Sequence, residues 1–253
     1  GLGRKGAAIP FSLDSGVDSS KLKGFDAVIH CAYDFSPKRW EDMRRVNSGG
    51  SIALLRAAKE AGVKKIVYIS SMSSFSGCKS YYGMAKLEVE EEAKRLGAYI
   101  IRPGLIYGKE SGSVMGKMLK LVSRFPVLPD ISTGANKLYL CHNQDLCSLI
   151  HRIISVEGIP SGVPITAANE HGFSLKEILS IMARSIKKKA MFIPFPQFLL
   201  VFSLKSAEAV GFNQGIRSDS MISLLNLDPA PDFNMTKKAG VVFRKYSVDT
   251  FGQ

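Results

Sequence analysis

The chain has 253 residues, four cysteines and a formal net charge of +12. This length is enough for one large domain, or one and a half, with a sizeable core. Four cysteines in such a length give no disulfide framework, which excludes a disulfide-dependent secreted scaffold and favours a reduced, cytoplasmic protein.

The excess of basic residues favours anionic partners, and it is concentrated at 187–189 and 237–238. The sequence contains no recognisable nucleic-acid module, so we do not expect a nucleic-acid partner. A diphosphate-bearing substrate such as a nucleotide sugar fits the charge better, as does an anionic membrane surface that carries a lipid-linked sugar. For each basic cluster taken singly, the alternative is a solvated face. The longest apolar run, near 198–202, is too short to span a bilayer, so no transmembrane segment is expected.

The first six residues spell G-x-G-x-x-G, the pattern of dinucleotide-binding turns. No strand precedes this match, and residues 7–10 cannot open the long helix that such a turn requires, so we interpret the match as accidental. We read residues 1–5 as the end of the second strand of a larger protein. A Gly-rich strand-turn-helix unit of about 30 to 40 residues is then expected to precede Gly1.

Apolar runs alternate with helical patterns from residue 24 to residue 104. Residues 24–32 and 63–69 predict buried strands, and residues 40–61 between them predict a helix that stops at Gly62. A third strand is expected over 98–101. Strand, helix, strand, helix, strand indicates an α/β fold with a doubly wound parallel sheet, whose ligands bind at the carboxyl ends of the strands.

Tyr82 and Lys86 lie four residues apart in a predicted helix, so both side chains should share one face. A nearby ammonium favours phenolate and lowers the pKa of a tyrosine, so that the phenol can exchange a proton with an alcohol or ketone. This pair therefore predicts a hydride-transfer site. Tyrosine and lysine also occur at this spacing on many solvated helices, so the pair alone is a weak signal.

The second half of the chain continues with mixed helices and strands after a soft boundary near 109–114. Helices are predicted at 115–124 and 143–154, the latter capped by Asn143, and strands at 138–141 and 163–168. A further helix should begin at Ser174, with Glu177 completing a capping box. Cys141, His142, Cys147 and His151 could suggest a zinc site, but the helix is otherwise apolar and we expect core packing and no metal.

Five motifs in this order resemble the extended or atypical short-chain dehydrogenases/reductases of the NAD-dependent epimerase/dehydratase family. They occupy residues 26–32, 46–51, 62–71, 82–86 and 101–108. The resemblance implies a Rossmann-like dinucleotide-binding domain over 1–112. It implies that residues 113–253 are mainly a smaller C-terminal α/β substrate domain, with some segments returning to the Rossmann core. The sequence does not decide whether the protein forms a homodimer, which stays possible.

The resemblance also implies roles for individual residues. Tyr82 would be the general acid/base, Lys86 would hold the nicotinamide ribose and tune Tyr82, and Ser71 would hydrogen-bond the reacting oxygen. Asn47 would support the active-site helix and its waters. The cofactor would be bordered by the backbone around Cys31 and Ala32, by Asp14 near the adenine, and by Pro103, Leu105 and Ile106 near the nicotinamide. Arg4 would lie near the adenosine ribose, where a basic residue favours NADP over NAD.

The serine assignment stays open between two alternatives. The interval from Ser71 to Tyr82 is shorter than is usual in the family. Anchoring the motif on Gly77 instead would place Met72 where the hydroxyl belongs, and the catalytic serine would then be Ser73 or absent. The serines at 70, 71, 73 and 74 are equally consistent with a polar turn after a strand.

The sequence thus predicts an NAD(P)-dependent enzyme, with NADP weakly favoured, that acts as an epimerase or keto-reductase on a nucleotide sugar or a related sugar. Residues 72–74 lack the acidic pair that dehydratases of the family carry after the active-site serine, which argues against dehydration. The alternative is a catalytically idle dinucleotide-binding subunit or sensor of the same fold.

Overall fold

The structure is a computed structural model that describes residues 17–108, 114–131, 137–210 and 217–249. Within these ranges the strands are β1 (Ala27–His30), β2 (Lys65–Ile69), β3 (Tyr99–Pro103), β4 (Leu105–Tyr107), β5 (Val127–Asp130), β6 (Leu140–His142), β7 (Pro164–Ala167) and β8 (Met191–Pro194). The helices are α1 (Trp40–Met43), α2 (Gly50–Glu60), α3 (Tyr81–Arg95), α4 (Val114–Arg124), α5 (Asn143–Ser155), α6 (Leu175–Ser185), α7 (Gln197–Ala209), α8 (Ser218–Leu225) and α9 (Asn234–Ala239). A short 3₁₀ turn, Ser19–Leu22, precedes β1.

The largest sheet is parallel throughout, with the strand order β1-β2-β3-β7. Its side chains alternate between two apolar cores, as the period of two along a strand requires. Ile66, Tyr68 and Ile100 face a core shared with α2 and α3, whereas Val67 and Ile101 face a core shared with α5 and α9. Helices therefore cover both faces of the sheet, and the predicted doubly wound α/β fold is confirmed.

A second region is built from two small parallel sheets, β4–β6 and β5–β8, and from helices α4 and α6. Its core includes Leu128, Leu140, Phe173 and Met182, all nearly fully buried. The segments α5, β7 and α9 follow this region's first strands in sequence but pack on the large sheet, so the chain passes between the two regions more than once.

Local signals in the sequence located most element ends correctly, with two differences. The capping box of Ser174 and Glu177 is present. Helix α5 is capped by the His142 side chain, one residue before the predicted Asn143. The predicted helix over 40–61 is interrupted by a π-helical turn at Arg44–Gly49, between α1 and α2. A π-helical turn arises from packing around one extra residue, which periodicity in the sequence does not reveal.

None of the helices among the described residues is both long enough and apolar enough to cross a bilayer.

Stability should fall in acid because of His30, which is 2% exposed at the end of β1 and lies 2.8 Å from the Ser51 hydroxyl through its Nε2 atom. Burial, helped by the neighbouring Lys86, lowers the pKa of His30 to about 4. The unfolded chain takes up this proton near its ordinary pKa of about 6.5, so stability is lost as the pH falls below that value. We expect a loss of about 2 kcal/mol between pH 7 and pH 5.

Urea unfolding of the parent and of His30→Gln at both pH values isolates this effect. Glutamine does not titrate, so the variant should lose about 2 kcal/mol less than the parent over the same interval. Equal losses in the two proteins would contradict the assignment.

Candidate active site

A cleft of about 280 Å³ lies where the carboxyl ends of β2 and β3 meet the start of α3 and the helix α8. It is lined by Ser71 and Pro103 at the ends of β2 and β3, by Leu105 and Ile106 of β4, and by Tyr82 of α3. In a doubly wound sheet this edge is where ligands bind, because the strand ends and the loops that follow them converge there. The fold thus gathers several of the predicted site residues in one place.

The start of α3 is held by both regions of the protein. Three backbone N–H groups in its first turn need acceptors outside the helix. The Ser80 hydroxyl accepts from Gly83 at 3.0 Å, and the Asp219 carboxylate of α8 accepts from Tyr81 at 2.7 Å and from Tyr82 at 3.1 Å. A carboxylate at a helix N-terminus is also favoured by the helix dipole. Asp219 therefore fixes the backbone that carries Tyr82.

Asp219→Ala should destabilise the protein by about 0.5–2 kcal/mol, the usual effect of removing a capping side chain. Turnover should fall because the Tyr82 backbone loses its anchor, while cofactor affinity changes less. Asp219→Asn keeps one acceptor oxygen, so its stability and turnover should lie between those of the parent and of Asp219→Ala. Urea unfolding and turnover of the three proteins test this expectation, and an unchanged Asp219→Ala variant would remove the positioning role.

Gly83 allows α3 to approach the segment after β2 closely. A Cβ atom at position 83 would lie 2.3 Å from the Ser73 carbonyl oxygen, a distance that requires the backbone to shift. Because Gly83 has no side chain, the start of α3 can lie close to the segment after β2, and Tyr82 and Ser71 can face the same cleft.

The Tyr82 side chain packs between aromatic rings. Its ring centroid lies 4.8 Å from that of Tyr33, edge-on, and 6.1 Å from that of Phe35. Burial raises the pKa of Tyr82, and hydrogen bonding to Ser71 opposes this by a smaller amount. The expected lowering of this pKa by Lys86 is thus wrong for the protein by itself: burial dominates, and the ammonium is directed elsewhere.

Lys86 is 3% exposed and lies behind the cleft. Its Nζ atom donates to the Ile69 carbonyl at 2.8 Å and lies 5.2, 5.0 and 6.0 Å from the ring centroids of Tyr33, Tyr68 and Tyr82. Burial lowers the pKa of Lys86 to about 8, while the neighbouring Cys31 and Glu90 oppose that shift. The aromatic faces and the carbonyl partly replace the water that this cation has lost.

Arg102, at the end of β3, forms a buried ion pair with Glu90, one helical turn beyond Lys86. Its Nε and Nη2 atoms donate to the two Glu90 carboxylate oxygens at 2.9 and 2.6 Å, and the Ser70 hydroxyl donates to the same carboxylate at 2.5 Å. Glu90 is completely buried. This pair ties α3 to the ends of β2 and β3, so Arg102 and Ser70 have structural partners below the cleft.

The structure distinguishes among the four candidate serines. Ser71 and Ser73 both line the cleft with Tyr82, and the Ser71 hydroxyl is the one that acts to lower the pKa of Tyr82. The Ser73 hydroxyl lies 2.7 Å from the Ser223 hydroxyl of α8, and Ser74 is fully buried. Because the Ser73 hydroxyl is engaged by Ser223, we retain Ser71 as the candidate partner of Tyr82.

Asn47 is bonded to the loop after β1. Its amide is bonded on both sides to the backbone of Asp34, with Oδ1 accepting at 2.7 Å and Nδ2 donating at 2.9 Å. It lies in the π-helical turn and is not among the residues that line the cleft. Asn47 thus holds the loop after β1, whereas support of α3 comes from Asp219, Ser80 and Glu90.

The remaining predicted cofactor contacts fall into two groups. Cys31 and Ala32 follow β1 directly, are exposed and lie outside the cleft lining. Arg4 and Asp14 lie outside the described residues.

Sequence reasoning missed Tyr33, Arg217 and Asp219, all of which line the cleft. Arg217 donates to the carbonyls of Phe35 and Pro37, so it joins α8 to the loop after β1. Residues 217 and 219 are more than a hundred positions from Tyr82, and no local pattern in the sequence marks them.

The residues at the cleft fit the nicotinamide end of a dinucleotide. Pro103, Leu105 and Ile106 contribute apolar lining to the cleft, and Lys86 supplies a buried cation. The Tyr33 hydroxyl is buried and has no hydrogen-bond partner among the described residues. A buried polar group of this kind is unfavourable unless a ligand satisfies it.

Comparisons with known proteins agree with this geometry. The model of the NAD dependent epimerase/dehydratase family matches residues 15–163. The chain is 27% identical over 202 residues to the UDP-glucose 4-epimerase of Vibrio cholerae, covering 69% of this chain and 61% of that protein. It is 27% identical over 176 residues to the ceramide reductase of Caulobacter vibrioides, covering 69% of this chain and 54% of that protein.

Among solved structures, MoeE5 in complex with UDP-glucuronic acid and NAD superposes with a TM-score of 0.71 at 16% identity, over 96% of this chain and 83% of that chain. This likeness supports the fold. The chain spans only about six-tenths or less of the length of the two curated relatives, at 61% and 54%.

Proposed function

The chain belongs to the NAD-dependent epimerase/dehydratase family, and from this premise we propose that it catalyses NAD(P)-dependent oxidation or reduction at a hydroxyl or keto carbon of a nucleotide sugar, as an epimerase or keto-reductase. The observation that carries this proposal is the juxtaposition of Tyr82 and Ser71 in a cleft at the carboxyl edge of the sheet, with Lys86 buried behind them.

Each residue has a role that follows from its position. The nicotinamide supplies or accepts the hydride when it is bound. Tyr82 gives a proton to the substrate oxygen during reduction and takes one during oxidation, which is general acid–base catalysis. Ser71 hydrogen-bonds the same oxygen and keeps it next to the phenol. Lys86 holds a ribose hydroxyl of the cofactor. Positive charge near Tyr82, from the bound cofactor or from the Lys86 ammonium, lowers the pKa of Tyr82 that burial has raised.

The substrate class rests on charge and on family membership. Lys137 and Arg217 line the cleft and could accept the diphosphate of a nucleotide sugar. Relatives named for UDP-glucose or bound to UDP-glucuronic acid handle such molecules. NAD and NADP are both retained as cofactors.

A second substrate class is favoured by one observation, the largely apolar lining of the cleft. Tyr33, Phe35, Met43, Met72 and Leu224 contribute to it in addition to the apolar residues at the end of β3 and in β4. Such a surface suits a ketone on a long apolar chain better than a sugar ring. A relative named ceramide reductase is consistent with this candidate.

A panel of substrates tests the proposal. Hydride transfer is followed at 340 nm with NAD or NADP in oxidised and reduced forms, against UDP-glucose, other nucleotide sugars with their keto forms, and a long-chain lipid ketone. Turnover of a nucleotide sugar supports the first candidate and turnover of the lipid ketone the second. Cofactor binding without turnover of any panel member would support the idle subunit or sensor.

A further inference from the structure

Helix α7 has two apolar faces, and only one of them packs against other described residues. Leu200, Val201 and Leu204 pack against a small core that includes Ile131 and Met221. Phe198 and Phe202, four residues apart and therefore on one face, are 71% and 69% exposed. A helix that is apolar all round is normally buried, so this outer face needs a partner.

The two-stranded sheet β5–β8, which leads directly into α7, shows the same asymmetry. Leu128 and Phe192 point into the core of the second region. Their strand neighbours point outward: Met191 is 66% exposed and Ile193 is 56% exposed, and Val127, paired in register with Met191, is exposed beside them. The outer face of this sheet is therefore also apolar.

Two consecutive parts of the fold, the β5–β8 sheet and α7, supply these exposed residues, which we call the apolar surface: Val127, Met191, Ile193, Phe198, Leu199 and Phe202. Exposed large apolar residues concentrated in this way mark sites of contact with a protein or a membrane. None of the six lines the cleft, so the apolar surface is separate from the proposed active site.

Basic residues border this surface where β8 begins. Lys187, Lys188 and Lys189 are exposed and immediately precede the strand. Arg124, at the end of α4, lies with its guanidinium 5.6 Å from the Phe125 ring, just before β5. Lys205 is exposed on α7 itself. The one carboxylate within β5, that of Asp130, is bonded to Lys176 at 2.9 Å.

We propose that the apolar surface docks on an anionic lipid bilayer, with Phe198 and Phe202 entering the headgroup boundary and Lys187–Lys189 facing the lipid phosphates. Apolar side chains bordered by basic ones are the composition that binds in the plane of a membrane interface. Electrostatic attraction to anionic headgroups falls off within a Debye length, so only basic residues adjacent to the inserting side chains contribute strongly. The chain's net charge of +12 acts in the same direction.

Flotation with lipid vesicles tests the proposal without requiring any activity. The parent protein should float with vesicles of mixed phosphatidylglycerol and phosphatidylcholine and not with pure phosphatidylcholine, and high salt should weaken binding. Phe198→Gln combined with Phe202→Gln should lower partitioning roughly tenfold or more, because both apolar side chains are lost from the interface.

The charge contribution is tested with a matched pair of variants. Lys187→Gln with Lys189→Gln should lower binding to anionic vesicles roughly tenfold. Lys59→Gln with Lys64→Gln removes the same charge from exposed positions beside the large sheet, at the end of α2 and just before β2, and should change binding much less. Circular dichroism and urea unfolding confirm that all variants are folded.

Absence of binding to anionic vesicles, or equal loss in both lysine pairs, would overturn the proposal. Self-association in analytical ultracentrifugation that the phenylalanine variants abolish, without vesicle binding, would assign the apolar surface to a second copy of the chain instead. Because the readout is vesicle binding, failure here leaves the proposed enzymatic function untouched, and loss of that function leaves the docking result intact.

Discussion

Tyr82→Phe should lower turnover by about two to four orders of magnitude while leaving cofactor affinity nearly unchanged, because general acid–base catalysis contributes on that scale. The phenylalanine ring keeps the packing against Tyr33 and Phe35, and only the hydroxyl that faces Ser71 is lost. Turnover with the panel of substrates and dinucleotide binding by titration calorimetry measure the two effects separately.

Ser71→Ala serves as the companion variant, since it removes the hydrogen bond to the same oxygen without removing the proton carrier. We expect a smaller loss of turnover than in Tyr82→Phe. Full activity of Tyr82→Phe would overturn the acid/base assignment, and full activity of Ser71→Ala would return the serine question to Ser73.

Lys86→Met should abolish most of the activity and yet make the protein more stable at neutral pH. Turnover should fall roughly 100-fold or more, with weakened cofactor binding, because the ammonium both holds the cofactor and tunes the phenol. Stability should rise by about 1–3 kcal/mol at pH 7, since a buried cation whose pKa is lowered to about 8 disfavours the folded state.

The stability difference between Lys86→Met and the parent should depend on pH, because the pKa of Lys86 differs between the folded and unfolded chains. Below the folded-state pKa of about 8, Lys86 is charged in both the folded and the unfolded chain. The full free-energy cost of burying that charge is then present. Between that value and the ordinary pKa of about 10.4, the unfolded chain binds more protons than the folded one, so the stability of the parent rises with pH. The stability difference between Lys86→Met and the parent should therefore shrink from pH 7 to pH 10.

Urea unfolding at the two pH values measures that difference, with Lys59→Met as a control for the loss of one exposed lysine. A variant that is less stable than the parent at pH 7 would mean that the bond to the Ile69 carbonyl outweighs the burial of charge. Opposite changes of activity and stability are the expected mark of a site that is maintained for function.

The sequence alone determined the fold class and the placement of Tyr82 and Lys86 on one helix. Buried parallel strands are short apolar runs, and the alternation of such runs with helical patterns leaves few possible topologies, so β1, β2, β3 and the helices between them were predictable. The spacing of Tyr82 and Lys86 is also local information. It survives in the structure because one helix, α3, carries both residues.

Only the tertiary structure decided what those residues experience. Asp219 reaches the start of α3 from α8, Arg102 pairs with Glu90, and Asn47 turns towards Asp34; each of these contacts joins segments that no local pattern connects. The pKa of Tyr82 is raised, contrary to the expectation from spacing, because burial depends on everything that packs around the phenol. Sequence spacing fixes which side chains share a helix face, whereas desolvation and long-range hydrogen bonds are set by the folded chain as a whole.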